Sequence, residues 1–410
     1  MKTMQTEAAL AVIALLFALL PTPAHAQDPE PIHVPMDLQG HPAMHLTWKF
    51  FGRGLIDKTP RRSHRHQFRQ SVYTPWLDES GIRLFGMAAM AAEKARNPEQ
   101  ARQLILSQFE YVEAFIEENS DRYALATTPA EARTLLTTTD KMVIFHSIEG
   151  GHHLLNGPED AAFWRDQGVA LVTLMHLRDD ELGGSAILDT TVGPLINRAG
   201  SKNRRKGRDR GLTEHGVSAI QELSAVGILI DLSHMTGETI DDTLEVTGEL
   251  GVPPIVTHGA LTTIRSVERS FTDAQVLEVY RQGGMFALSL SPDGLGAVPE
   301  RDDDVCDATI ESWGRHYQAV VDLVGVDAPI GWSSDWNGWA NHAAPVYGKR
   351  RCRPLSDLDD PLPIDTEGMA HPGFIPQHFE RAERMGLDLR PIDRSSEQFL
   401  QMWEAARGER

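Results

Sequence analysis

Short apolar runs bounded by Gly, Pro or polar residues alternate along this chain with longer amphipathic stretches. The clearest run is Gly227-Ile228-Leu229-Ile230-Asp231-Leu232-Ser233, which ends at His234, and a near copy, Pro254-Ile255-Val256-Thr257, ends at His258. Runs rich in Ile, Leu and Val suit parallel strands covered on both faces. The pattern predicts strands at 36–41, 122–127, 142–148, 169–175, 227–233, 254–257, 284–290 and 330–334. Helical periodicity marks 98–118, with Ala101, Leu104, Ile105, Phe109, Val112 and Phe115 on one face. Further helices are predicted at 129–136, 158–167, 213–226, 237–250, 272–282, 304–324, 375–385 and 395–406, with Thr213 and Thr272 as N-caps. Strand–helix alternation argues an α/β protein with a parallel sheet and helices outside. Eight such strands argue a closed (β/α)8 TIM barrel, in which chemistry sits at the C-terminal strand ends. No Gly-x-Gly-x-x-Gly follows the first strand, so a dinucleotide fold has little support.

The beginning of the chain carries a different pattern. Lys2 precedes an apolar core from Ala8 to Leu20, and Ala24-His25-Ala26 follows as a small-x-small cleavage site. This predicts a secretory signal peptide over 1–26, a single mature domain over 27–410, and a periplasmic or secreted protein. Pro21 and Pro23 break the apolar run, so no stable membrane span is expected after cleavage. The net charge of −19 over 410 residues argues against nucleic-acid binding, which needs a basic face. Export permits a disulfide between Cys306 and Cys352, the two cysteines of the chain, but their spacing does not fix one. Neither is expected to bind metal. The basic segments Arg61–His66 and Lys202–Arg210 are expected to be solvated loops.

The residues that end the predicted strands form a second pattern: Gln39 or His41, Glu149, His176, His234, His258 and Asp335. Charged and imidazole groups are costly to bury without a partner. Several of them recurring at one barrel end point to a bound divalent cation, and these N and O donors suit zinc. Bound zinc lowers the pKa of its water to about 7, so metal-bound hydroxide is available near neutral pH. Glu149 could bridge two cations. Asp335 could move a proton between water and leaving group, and a non-ligand histidine suits an oxyanion.

Glu149-Gly150-Gly151, Thr173-Leu174-Met175-His176, Gly211-Leu212-Thr213, Asp231-Leu232-Ser233-His234, Thr257-His258 and Ser334-Asp335 together resemble the membrane dipeptidase (renal dipeptidase) family. That family comprises zinc peptidases of the amidohydrolase-like barrels. The resemblance implies that Glu149 is a bridging carboxylate and that His234 and His258 bind the second metal. It implies that His176 contacts substrate and intermediate, that Arg269 takes the substrate's free carboxylate, and that Asp335 lies beside the scissile bond. A guanidinium fork matches a carboxylate, which agrees with the role of Arg269. The expected reaction is hydrolysis of a dipeptide or similar small amide with one or two zinc ions as cofactor. The family is often dimeric, so a homodimer is an expectation.

One departure stands in the first strand. The family usually ends it with His-x-Asp, both ligands of one metal, whereas this chain has Gln39-Gly40-His41. His41 can serve as a ligand there, while Gln39 is at best a weak neutral one, so the first-strand site is expected to be weak. His33 and His45 lie nearby, but neither is expected to substitute. The departure keeps two alternatives open: a lactonase or N-acyl amino-acid amidase on the same barrel, or a metal-binding relative that has lost catalysis. His152 and His153 follow the Glu149 turn and are candidates to line the mouth. Trp332, Trp336 and Trp339 are expected to pack the rim, and His342 to be exposed.

Overall fold

The protein is described by a computed structural model over residues 30–47, 54–56, 72–91, 94–291, 305–338, 342–349 and 351–408. The segments 1–26 and 61–66 and Trp339 lie outside the described residues. Eight parallel strands follow one another around the sheet: β1 (Met36–Gly40), β2 (Leu84–Met90), β3 (Met142–Glu149), β4 (Val169–Thr173), β5 (Leu229–Asp231), β6 (Ile255–Gly259), β7 (Met285–Ser289) and β8 (Ile330–Ser333). The first and last strands meet through Asp335 N–H on the Gln39 carbonyl and His41 N–H on the Trp336 carbonyl, each at 2.9 Å. The expected (β/α)8 barrel is therefore present, nearly closed.

The strand roster differs from the sequence reading in one member. Tyr123–Leu125 is a strand, but it pairs only with Met142–Ile144 at the start of β3 and is not one of the eight. The barrel position belongs to Leu84–Met90, which pairs with β1 on one side and runs in register with β3, from Leu84 opposite Val143 to Met90 opposite Glu149. Its sequence, LFGMAAM, contains no β-branched residue, so it lacks the usual mark of a strand. The small residues answer to packing: a Cβ on Gly86 would stand 2.1 Å from the Leu38 carbonyl oxygen.

The helices α1 (Pro98–Glu118), α2 (Pro129–Thr138), α3 (Pro158–Asp166), α4 (Glu214–Ala225), α5 (Gly237–Leu250), α6 (Asp273–Arg281) and α7 (Ile310–Val324) fill the connections as expected. Thr213 and Thr272 do cap α4 and α6, accepting from Gly216 N–H and Gln275 N–H. Two further helices are α8 (Ile375–Arg384) and α9 (Ser395–Arg407).

Two cores result. One lies between strands and helices and includes Phe109, Trp164, Ile220, Val276 and Trp313. The other fills the barrel with Leu38, Phe145, Leu171, Ile255 and Ala287, and it includes Phe399 and Trp403 of α9. Phe145 meets the Phe399 and Trp403 rings at 4.6 and 5.9 Å between centroids. The interior is thus packed by side chains, and the ends of the strands remain for polar groups.

Cys306 and Cys352 form a disulfide. Arg210, in the basic connection, is buried and paired with Asp179 and Glu268, whereas Lys202, Arg204 and Arg205 sit in the last turn of the short helix Arg198–Arg205. Among the described residues, no helix is long and apolar enough to cross a membrane.

Candidate active site

The C-terminal ends of six strands deliver their polar residues into one buried pocket. β3 ends in Glu149, which is buried and surrounded by imidazoles. Its Oε1 lies 3.3 Å from His234 Nε2 and 3.7 Å from His258 Nε2. Its Oε2 lies 3.4 Å from His41 Nε2 and 3.6 Å from His176 Nε2. Asp335 approaches from beyond β8, with Oδ1 at 3.1 Å from His41 Nε2. Arg269 stands behind the histidines and donates to the His258 carbonyl at 3.3 Å. Gln39, His41, Glu149, His176, His234, His258 and Asp335 are therefore together, as the strand-end pattern predicts.

The backbone contributes to this convergence. His234 and Asp335 both occupy the left-handed region, at φ 67° and 50°. Residues other than glycine seldom do so, and such outliers cluster at functional sites. The close approach of β1 and the segment after β8 requires Gly40, because a Cβ there would meet Trp336 Nε1 at 2.7 Å. Trp332 and Trp336 are fully buried, which fits rim packing.

Beneath the pocket lies a layer of buried polar groups that the strand-end reading did not assign. Asp231 accepts from Thr173 Oγ1 at 2.6 Å, Thr257 Oγ1 at 2.7 Å, Ser233 Oγ at 2.8 Å, and the N–H groups of Ser233 and Thr257 at 3.0 Å each. Thr257 has one hydroxyl proton and gives it to that carboxylate. Its oxygen can then accept from His258 Nδ1, 2.8 Å away. This chain fixes the proton on Nδ1 and leaves the Nε2 lone pair facing Glu149, the usual support of a metal-ligating histidine. Asp37 plays a similar part under β8, accepting from Ser334 N–H at 2.9 Å and from the Ser334 hydroxyl. The available signal was a carboxylate inside an apolar run, since such a group needs partners.

The electrostatics agree with this proton placement. Burial, with the charges of Arg269 and His176, pushes His234 down to about 3. Burial, His234 and Arg269 hold His258 well below the ordinary imidazole value. Both rings are therefore neutral at pH 7. Burial works against an ionised Glu149, but His176, His234 and His41 outweigh it and keep the carboxyl well below its usual range. For His41, burial also opposes the charge, and Asp335 and Glu149 raise it overall. Asp37 is pushed up to about 7 by burial.

Two neutral imidazoles and one carboxylate, all buried, with ligand atoms within 4.8 Å of one another, make a donor set for a divalent transition metal. Glu149, His234 and His258 fit that role: the two Nε2 atoms lie 2.9 Å apart, with Glu149 Oε1 at 3.3 and 3.7 Å from them.

Other candidates fall elsewhere. His33 is exposed and contacts the Asp393 carbonyl, and His45 packs edge-on to Tyr111, so neither joins the site. His342 is a correction: it is buried and its Nε2 donates to the Ser334 carbonyl at 2.6 Å. Its place on the loop beyond the last strand gave no sign that this imidazole holds the backbone carbonyl next to Asp335. His152 does line the mouth, in a cavity of about 330 Å³ shared with His176, Arg178, Asp180 and Ile196.

A family model for "Membrane dipeptidase (Peptidase family M19)" matches residues 39–346. Among curated proteins, the chain is 24% identical over 233 residues to "Dipeptidase verJ" of Clonostachys rogersoniana, covering 57% of this chain and 53% of that protein. It is 26% identical over 198 residues to "Uncharacterized dipeptidase C965.12" of Schizosaccharomyces pombe, covering 48% and 42%. The chain spans about half the length of the curated relatives it matches. Its fold is similar to a metallo peptidase from Rhodobacter sphaeroides liganded with a phosphinate mimic of the dipeptide L-Ala-D-Ala, at TM-score 0.63 and 19% identity, covering 92% of this chain and 99% of that one. It is likewise similar to the probable dipeptidase PvdM from Pseudomonas aeruginosa, at TM-score 0.67 and 13% identity, covering 92% and 96%. With the family's model matched over most of its length, this chain belongs to the membrane dipeptidase family.

Proposed function

We propose that the chain is a zinc-dependent peptidase that hydrolyses a dipeptide or similar small amide, and that it acts after export, as its apolar N-terminal segment suggests. The observation that carries this reading is the convergence of Glu149, His234 and His258, with Asp335 held by His41 and Arg269 bonded to the His258 carbonyl. His234, His258 and Glu149 would hold the ion. When bound, zinc supplies a hydroxide nucleophile near neutral pH and polarises a carbonyl.

The chain's own residues supply the rest. Asp335 is held by His41 beside Glu149, where it can take a proton from water and return it to the leaving amine. His176, on the open side of Glu149, is placed to hydrogen-bond the developing oxyanion. Arg269 offers a guanidinium to the substrate's terminal carboxylate. The cavity beside His176 has the volume of a small-ligand site.

The test is a hydrolysis panel on the purified zinc-loaded protein, with dipeptides of both C-terminal configurations, N-acyl amino acids and lactones. Dipeptide cleavage that stops on zinc removal is the expected result. Turnover confined to lactones or N-acyl amino acids would replace the substrate class. No turnover of any would remove the hydrolase reading.

A further inference from the structure

The first-strand side of the pocket does not match the second-metal expectation. A catalytic zinc is usually held by three protein ligands. Glu149, His234 and His258 meet that number. The place of a first-strand ligand is taken by Gln39, fully buried, whose Nε2 lies 2.6 Å from Glu149 Oε1, the oxygen that also faces His234 and His258. A carboxamide nitrogen has no lone pair to offer a metal; it can only donate a hydrogen bond. Turning the amide would set its carbonyl oxygen against the Glu149 oxygen, two acceptors at the same short distance. The nitrogens beside Glu149 Oε2 are those of His41 and His176, at 3.4 and 3.6 Å, and His41 Nε2 is shared between Glu149 and Asp335. Among the described residues, His41, Glu149 and Asp335 do not form a further set with all ligand atoms within 4.8 Å.

We propose that this chain holds one metal ion per molecule, bound by Glu149, His234 and His258, and that Gln39, standing where a first-strand ligand would be, supplies none and instead hydrogen-bonds Glu149. His41 then acts as a positioning residue, fixing by a hydrogen bond the carboxylate of Asp335 that a second ion would otherwise fix. The inference rests on reading this pocket as a metal centre, but it does not depend on which amide or ester is cleaved.

The experiment is metal stoichiometry. The mature chain is stripped with chelator, dialysed against micromolar zinc and analysed by plasma mass spectrometry. One zinc per chain is expected, unchanged in Gln39→Ala and lost in His258→Ala. The double variant Gln39→His/His41→Asp is expected to take two. Because His258→Ala could fail to fold, cobalt(II) titration of the unmodified protein gives an independent reading: its visible absorption saturates at one equivalent. Two ions of comparable affinity in the unmodified protein, or loss of the single ion in Gln39→Ala, would overturn the inference alone. No bound ion at all would overturn it together with the metal-centre reading. One ion without hydrolysis of any substrate would leave it standing and remove only the hydrolase.

Discussion

Thr257 is the link between a metal-facing imidazole and a buried carboxylate, and Thr257→Val tests what that link does. Valine keeps the shape and removes the hydroxyl that stands 2.8 Å from His258 Nδ1 and 2.7 Å from Asp231 Oδ2. Asp231 retains four of its five donors, from Thr173, Ser233 (side chain and backbone) and the backbone of residue 257. The fold should therefore lose only about 1.5–3 kcal/mol, the worth of one hydrogen bond to a charged group. His258 loses the acceptor that keeps its proton on Nδ1, and the competing tautomer puts that proton where the metal must bind. Losing such outer partners costs about 10–100-fold in metal affinity, or about 1.4–2.7 kcal/mol. Zinc competition against a chromophoric chelator at pH 7.5 reads the affinity, and urea denaturation of the stripped protein reads the stability. Thr257→Ser keeps the hydroxyl and should stay near the unmodified protein. An affinity within twofold for Thr257→Val, or an equal fall for Thr257→Ser, would refute the relay.

Three further outcomes are expected. Arg269→Met should raise KM for dipeptides by about 10–100-fold, the value of a charged hydrogen-bonded contact, while C-terminally amidated substrates change little; equal losses on both would remove Arg269 from carboxylate binding. The double variant Cys306→Ser/Cys352→Ser opens a covalent loop with a sequence separation of 46 and should lower unfolding free energy by about 2–4 kcal/mol, read by urea denaturation with and without reductant. His378 is buried with neither ring nitrogen hydrogen-bonded, and burial pushes it down to about 3. The unfolded chain then takes up that proton first, near its ordinary value of about 6.5, so stability is lost as pH falls from there toward 3. His378→Leu should remove about 2 kcal/mol of that acid loss at pH 5, measured on chelator-treated protein. A parallel pH dependence in both proteins would contradict the assignment.

Much of this molecule was legible because its strands declare themselves twice. The runs ending in His234 and His258 are apolar enough to be parallel strands, and each closes on a residue that a core would not choose. Glu149 and Asp335 follow the same rule, so the polar lining could be listed from strand ends, while Arg269 came only from the family resemblance. What escaped has physical reasons. Leu84–Met90 is a barrel strand without a β-branched residue, in which Gly86 lets the Leu38 carbonyl approach; periodicity has no signal for that. Tyr123–Leu125 has the composition of a strand but pairs only at the edge of β3. The supporting carboxylates Asp37 and Asp231 sit within strands, where pattern reading treats a single polar residue as an interruption. His342 reads as a loop residue beyond the last strand, yet the chain folds back so that it holds the Ser334 carbonyl. Gln39 was recognisable as a departure, but only its 2.6 Å contact with Glu149 shows what replaces a ligand.

The central claim is that residues from three separate strand ends hold a metal. Anomalous diffraction at the zinc edge, from crystals of the zinc-loaded protein, tests it most directly. The account predicts one buried peak, with the Glu149 carboxylate and the Nε2 atoms of His234 and His258 at bonding distance. A peak found instead only at the half-buried His152, His153 and Glu181 group, or none in the barrel mouth, would contradict it.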